Sequence, residues 1–202
     1  MNRNRTIDFF DSQFQRQARE SEFALNPFER MALPFLRGRM LDLGCGMGNL
    51  SIEGARRGCS AQALDASACA IERVRAVAEA EALPIQGEVA DLAAYHITER
   101  FDTIAAIGLL MFFPRPRALE LLEEIKAQVL PGGCAIVNVL TEGTTYLGMF
   151  EPGYYYLFGQ SELQERFNGW ELCVARSDNF PAPGETVKAF MTVVARKLWA
   201  VE

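Results

Sequence analysis

The run Leu41-Asp42-Leu43-Gly44-Cys45-Gly46-Met47-Gly48-Asn49 restricts the fold of this chain more than any other stretch. A short apolar strand ends in Gly-x-Gly-x-Gly, and a helix over 49–57 follows without a linker. Glycine takes positive φ at little cost and lets another molecule press on bare backbone. The helix behind the turn aims its first N–H groups into the same space. The pattern predicts a strand–turn–helix unit with an open face for a large, flat, polar ligand.

Strand and helix then keep alternating. Strands are expected at 39–43, 60–64, 84–90, 101–107 and 134–140, and helices at 49–57, 68–82 and 115–130. The fourth strand is almost wholly apolar, as a strand covered on both faces should be. Pro131-Gly132-Gly133 reads as the turn into the fifth. Such alternation implies a doubly wound parallel sheet. Upstream, Ile7, Phe9, Phe10, Phe14 and Ala18 recur at helical spacing, and Pro27 and Pro34 bracket a second helix. Downstream, 144–158 is rich in Tyr, Phe and Gly, and 160–167 reads as a short helix. The segments 170–176 and 186–196 are separated only by the turn-rich 177–185, too little chain for a helical crossover. They should pair antiparallel. The expected fold is α/β and Rossmann-like, a doubly wound, mostly parallel seven-stranded sheet ending in an antiparallel hairpin. A helical lead-in or lid (1–38) and a ligand-binding region (39–202) together make one compact domain.

Composition removes other classes. Half of the 202 residues are apolar, enough for a sizeable core. A net charge of −6 argues against a nucleic-acid partner, which needs a basic face. Cys45, Cys59, Cys69, Cys134 and Cys173 form no CxxC pair, and His96 is the sole histidine, so no metal site is expected. Scattered single thiols suit a reducing cytosol. Met1-Asn2-Arg3-Asn4-Arg5 is not followed by an apolar signal core, and the apolar run 104–113 is too short to span a bilayer. The expectation is a cytoplasmic protein, without membrane or nucleic-acid partners, that meets a small molecule.

The chemistry-bearing residues fall at successive strand ends, where open α/β sheets bind ligands. Asp65, 21 residues after Gly44, ends the second strand, and its carboxylate can accept both hydroxyls of a ribose. Asp91 ends the third, placed to read the edge of an adenine while Leu92 packs on the ring. Gly108 follows the fourth and leaves room for an amino-acid moiety against the backbone. Asp42 lies inside a buried strand and needs a partner, for which a ligand ammonium would serve. Taken singly, Asp65 and Asp91 also suit helix N-caps, and backbone amides also suit Asp42.

Leu41-Asp42-Leu43-Gly44-Cys45-Gly46-Met47-Gly48 resembles motif I of class I S-adenosylmethionine-dependent methyltransferases, with Asp65, Asp91-Leu92 and Pro131-Gly132-Gly133 where that family's later motifs fall. The resemblance implies that Gly44 and Gly46 line the methionine part of the cofactor, Asp65 holds the ribose and Asp91 the adenine amino group. Cys45, Asn49 and Ala66 complete the cofactor set expected beside Asp42, Leu92 and Gly108; no catalytic residue is assigned. Leu110-Met111-Phe112-Phe113, Glu162-Leu163 with Phe167 and Trp170-Glu171, and 190–197 are similar to the bacterial tellurite-resistance methyltransferases, which methylate tellurium and selenium oxyanions. That family carries a substrate-side histidine before its last strand; 178–185 here holds none.

The resemblance implies methyl transfer from S-adenosylmethionine, with S-adenosylhomocysteine as product, to a small acceptor. The acceptor is expected to be a soft nucleophile (thiol, selenium or tellurium oxyanion), and a thiolate, a selenide or a tellurium lone pair needs no general base. His96, on a short helix or loop after Asp91, is expected to be an exposed residue without a catalytic part. The acceptor pocket should be roofed by 14–23, by 109–114 and by Tyr146, Phe150, Tyr154, Tyr155, Tyr156 and Phe158; Arg16 and Arg19 are outlying anion-binding candidates. Two alternatives stand beside this reading. One is a non-catalytic S-adenosylmethionine-binding module. The other is an NAD-dependent oxidoreductase, whose Gly-x-Gly-x-x-Gly pattern meets Asn49 in place of its third glycine.

Overall fold

In the computed structural model, which describes residues 5–199, seven strands form one sheet in the order β3-β2-β1-β4-β5-β7-β6. The strands are β1 (Arg39–Leu43), β2 (Ser60–Asp65), β3 (Ile85–Val89), β4 (Phe101–Ile107), β5 (Val129–Leu140), β6 (Glu171–Ala182) and β7 (Thr186–Arg196). The first five run parallel, while β7 joins β5 and β6 joins β7 antiparallel. The helices are α1 (Arg5–Glu20), α2 (Pro27–Ala32), α3 (Asn49–Arg56), α4 (Ala68–Ala80), α5 (Arg115–Gln128) and α6 (Glu162–Arg166). The terminal residues 1–4 and 200–202 of the two expected regions, including most of the basic N-terminal run, lie outside the described residues.

Period-two alternation explains why the central strands are buried on both sides. Leu41, Leu43, Ile104, Ala106, Val137 and Val139 face one apolar layer, together with Phe101, Phe158 and Phe167. Met40, Ala105, Ile136 and Val194 face the other, against Ala32 and Leu50. Each fully buried large side chain contributes about 1.5–3 kcal/mol of transfer free energy, so this two-sided packing fixes the strand ends that carry the polar residues. The entry to α2 is set by a capping box. Asn26 Oδ1 accepts from the Phe28 and Glu29 N–H groups at 2.9 Å each, and Glu29 Oε2 accepts from Asn26 N–H at 2.7 Å.

Two boundaries differ from expectation. Pro131-Gly132-Gly133 is not a turn before β5 but part of it, and α5 stops at Gln128. Gly132 N–H donates to Lys197 C=O at 2.7 Å and Lys197 N–H to Gly133 C=O at 2.9 Å, while Lys197 Nζ donates to the Lys126, Ala127 and Val129 carbonyls. Those free carbonyls are the usual unmet need of a helix end, and the lysine meets it. At Gly133 a Cβ would lie 2.7 Å from the Asp102 and Leu130 carbonyl oxygens, so glycine is demanded by crowding. The C-terminal hairpin forms as expected, but its strands run on through Ser177, Asp178 and Asn179, leaving only 183–185 as the turn. These polar residues suit the edge strand β6, whose charges discourage pairing with another chain. His96 lies in the loop between β3 and β4, the second of the two placements expected for it. No helix among the described residues is long and apolar enough to cross a membrane.

Candidate functional site

The carboxyl ends of β1 to β5, with the start of β7, open into a cavity of about 1440 Å³ roofed by α1 and α2. All ten cofactor residues expected from sequence line it: Asp42, Gly44, Cys45, Gly46, Asn49, Asp65, Ala66, Asp91, Leu92 and Gly108.

The glycine turn is tied down from within. Leu64 C=O accepts from the Gly44 and Cys45 N–H groups, and Gly48 N–H returns to Cys45 C=O. Gly46 N–H donates to Asp65 Oδ2 at 2.9 Å. The turn therefore offers a ligand close approach more than free donors. Gly48, at φ 73°, begins α3, and a Cβ there would lie 2.3 Å from Val74 Cγ2. Gly108, at φ 68°, has only Met111 Cε near a notional Cβ, at 3.9 Å, so its bare backbone borders open cavity.

Asp65 is not the N-cap of α4. Ser67 holds that place, and Asp65 Oδ1 accepts from Ser67 N–H at 2.9 Å. A carboxylate has about four lone-pair sites, so each oxygen keeps one for a ligand hydroxyl. Burial raises the Asp65 pKa against the backbone N–H groups of Ser67, Gly46 and Ala66, and Asp11 of α1 raises it further. Asp91 caps a local turn, with no helix following it directly. Oδ1 accepts from Ala93 N–H at 3.0 Å in a local turn, leaving Oδ2 for another donor.

Asp42 is buried and accepts the Ser51 hydroxyl at 2.7 Å. Burial pushes its pKa to about 7, the Ser51 hydrogen bond opposes the rise, and Glu29 and Asp65 add to it. Glu29 is itself pushed up by burial. The Oδ1 atoms of Asn49, Asp11 and Asn138 are buried without a hydrogen-bond partner, and all three residues line the cavity. Unmet acceptors beside several acids fit a ligand rich in donors and carrying positive charge. A nucleoside with an ammonium and a sulfonium meets that description.

Sequence reasoning missed Asp11, Glu29, Val89, Asn138 and Lys188, which all line the cavity. Of these, Val89 had a legible signal, a β-branched residue two before Asp91 at a strand end. The others depend on how the lead-in and β7 pack. Among the expected roof residues, Phe14, Leu109, Met111, Phe112, Phe113 and Tyr154 line the cavity. Phe150 and Phe158 are core, Phe150 stacks on Tyr155 at 4.6 Å, and Tyr156 bonds Glu162. Arg16 pairs with Glu20 in solvent, and neither Arg16 nor Arg19 lines the cavity. His96 is exposed and contacts Glu124 at 2.8 Å, away from the cavity. His96, Glu120 and Glu124 come close enough to suggest a cation site, but Arg117 already supplies the positive charge, at 2.9 and 3.1 Å from the two glutamates.

Comparison with known proteins follows the same line. The family described as Tellurite resistance protein TehB matches residues 4–180. Hemagglutinin 1 of Eikenella corrodens is 27% identical over 165 residues, covering 79% of this chain and 54% of its own. A probable S-adenosyl-L-methionine-dependent methyltransferase TehB of Haemophilus influenzae is also 27% identical over 165 residues, covering 79% and 57%. The chain thus spans about half the length of the curated relatives it matches. The crystal structure of TehB from Haemophilus influenzae superposes with a TM-score of 0.77 at 22% identity, over 95% of this chain and 67% of that one. Burkholderia thailandensis 1,6-didemethyltoxoflavin-N1-methyltransferase, solved with 1,6-didemethyltoxoflavin and S-adenosylhomocysteine, gives 0.66 at 19% identity, over 94% and 87%. With the match over residues 4–180 and the superposition on the TehB crystal structure, the chain belongs to the tellurite resistance protein TehB family and has the class I S-adenosylmethionine-dependent methyltransferase fold.

Proposed function

We propose that this chain is an S-adenosylmethionine-dependent methyltransferase acting on a small-molecule acceptor with a soft nucleophilic atom. One observation carries the reading: the glycine turn, Asp65, Asp91 and Gly108 line a single cavity, with Asp65 already bonded to Gly46. The relative described as a methyltransferase and the fold neighbour solved with S-adenosylhomocysteine support it. When bound, S-adenosylmethionine supplies an electrophilic methyl on a sulfonium sulfur.

The residues divide the work by strand. Asp65 accepts the ribose hydroxyls through its two remaining lone-pair sites. Asp91 Oδ2 accepts from the adenine amino group, and Val89, Ala66 and Leu92 flank the ring. Asp42, with Glu29 nearby, balances the ammonium. Gly44 and Gly108 admit the methionine chain, and Phe14 of α1 covers Gly46, whose notional Cβ is 3.2 Å from its ring. Such alignment of two reactants contributes on the order of 7–11 kcal/mol. A soft acceptor needs no base, which suits a cavity that the sole histidine does not line.

Residues 1–38 act as the lid. Within them α1 is pinned by the Phe10–Phe112 ring contact and by Thr6 Oγ1, which donates to Met149 C=O at 3.3 Å. Slower amide exchange over residues 5–20 on adding S-adenosylhomocysteine is expected, and unchanged exchange would count against a lid. The activity itself is tested with methyl-labelled S-adenosylmethionine and a panel of thiols, selenite and tellurite. Label should pass to at least one acceptor; binding of the cofactor with no transfer to any would favour a non-catalytic module.

A further inference from the structure

The cavity runs further than the cofactor residues do. Asp91, Asp65, Gly44 and Gly108 stand at the ends of β3, β2, β1 and β4. Neighbouring strands lie about 4.8 Å apart, so the continuation over β5 and β7 adds about 10 Å. There the lining changes character. Asn138 of β5 and Lys188 and Phe190 of β7 form one wall, and Phe28 of α2 faces them. Phe28 packs on Phe190 at 4.7 Å and on Phe180 at 5.7 Å.

Lys188 is the only basic residue lining the cavity among the described residues, where the other charged groups are Asp11, Glu29, Asp42, Asp65 and Asp91. No ion pair to Lys188 occurs among the described residues; its Nζ lies over the Tyr146 ring at 4.8 Å. Burial lowers its pKa, with no acid to offset the effect. A partly desolvated ammonium without a counter-charge gains from an anion. Further along the same wall, Asn138 is paired in register with Thr192; it is fully buried, donates to Thr192 Oγ1 at 2.9 Å, and leaves Oδ1 without a partner. Either orientation of the amide leaves one polar atom for a ligand.

Resting on the methyl-transfer reading, we infer that the soft-atom acceptor is an organic anion, of the class of aromatic thiol carboxylates. Its aromatic or apolar body lies on Phe28 and Phe190, and its carboxylate or similar group pairs with the Lys188 ammonium. An inorganic oxyanion takes about the space of two or three waters, roughly 60–90 Å³. It would leave the aromatic wall uncovered.

The test loads the protein with S-adenosylhomocysteine and titrates benzoate, 3-phenylpropionate and 1-naphthoate, each against its neutral amide, with selenite alongside. At least one acid should bind about tenfold more tightly than its amide. Lys188→Met should erase the preference, Lys188→Arg should keep it, and both should bind S-adenosylhomocysteine within twofold of the native chain. Equal binding of every acid and amide, a preference that survives Lys188→Met, or Lys188-dependent binding of selenite alone would overturn the proposal. Failure of S-adenosylhomocysteine to bind the native chain would instead overturn the cofactor reading beneath it.

Discussion

Replacing Asp65 with alanine is expected to weaken S-adenosylhomocysteine binding by at least 100-fold. The carboxylate would accept two ribose hydroxyls while holding Gly46 N–H and Ser67 N–H at 2.9 Å. Hydrogen bonds to a charged group are each worth about 1.5–3 kcal/mol, so losing two from the ligand amounts to about 3–6 kcal/mol. The substitution also frees the glycine turn from its anchor, which acts in the same direction. Asp65→Asn separates the parts: its one amide oxygen can keep one of the two backbone N–H bonds while the charge is lost, and it should fall between the two. Calorimetric titration of the three proteins measures the series. A loss below about fivefold for Asp65→Ala would remove Asp65 from the cofactor site.

The second large effect concerns Asp42, where stability and binding are expected to move in opposite directions with pH. Its folded pKa of about 7 lies above the usual 3.8. The folded chain therefore holds this proton more tightly than the unfolded chain, and stability falls as pH rises from about 4 to about 7. The loss is on the order of 4 kcal/mol. Glu29 and Asp65 are raised in the same sense, so the difference between native and Asp42→Asn proteins isolates the one group. Urea unfolding should show Asp42→Asn at least as stable as the native chain at pH 8, with a flatter dependence on pH. Binding should behave the other way. Ionised Asp42 balances the ligand ammonium, so native affinity for S-adenosylhomocysteine should climb toward pH 7.5, and Asp42→Asn should bind about tenfold more weakly at pH 8. A variant that is less stable than the native chain at pH 8, with unchanged binding, would contradict this role.

The proposed cofactor half of the site was legible because its signals are local. A glycine run after an apolar strand and an acid at each of the next two strand ends need only the strand–helix alternation to be placed on one edge. The antiparallel hairpin was legible for a similar reason, chain length alone excluding a crossover. Where polarity misled, tertiary context explains it. Ser177, Asp178 and Asn179 look like loop residues but occupy an edge strand, and Pro131-Gly132-Gly133 looks like a turn but runs beside the segment after β7. Asp11, Glu29 and Lys188 carried no signal of their own. Each reaches the cavity only because α1, α2 and β7 fold over the sheet edge, a long-range arrangement that no local period encodes. On the proposed reading, the histidine absent from 178–185 fits this division, the cofactor edge keeping its pattern while other side chains build the acceptor end.

Titration of S-adenosylhomocysteine into the native protein, with NADH as control, tests the central claim most directly. The account predicts a micromolar dissociation constant, about −8 kcal/mol, with one ligand per chain and no NADH binding. Absence of S-adenosylhomocysteine binding, or binding of NADH in its place, would contradict it.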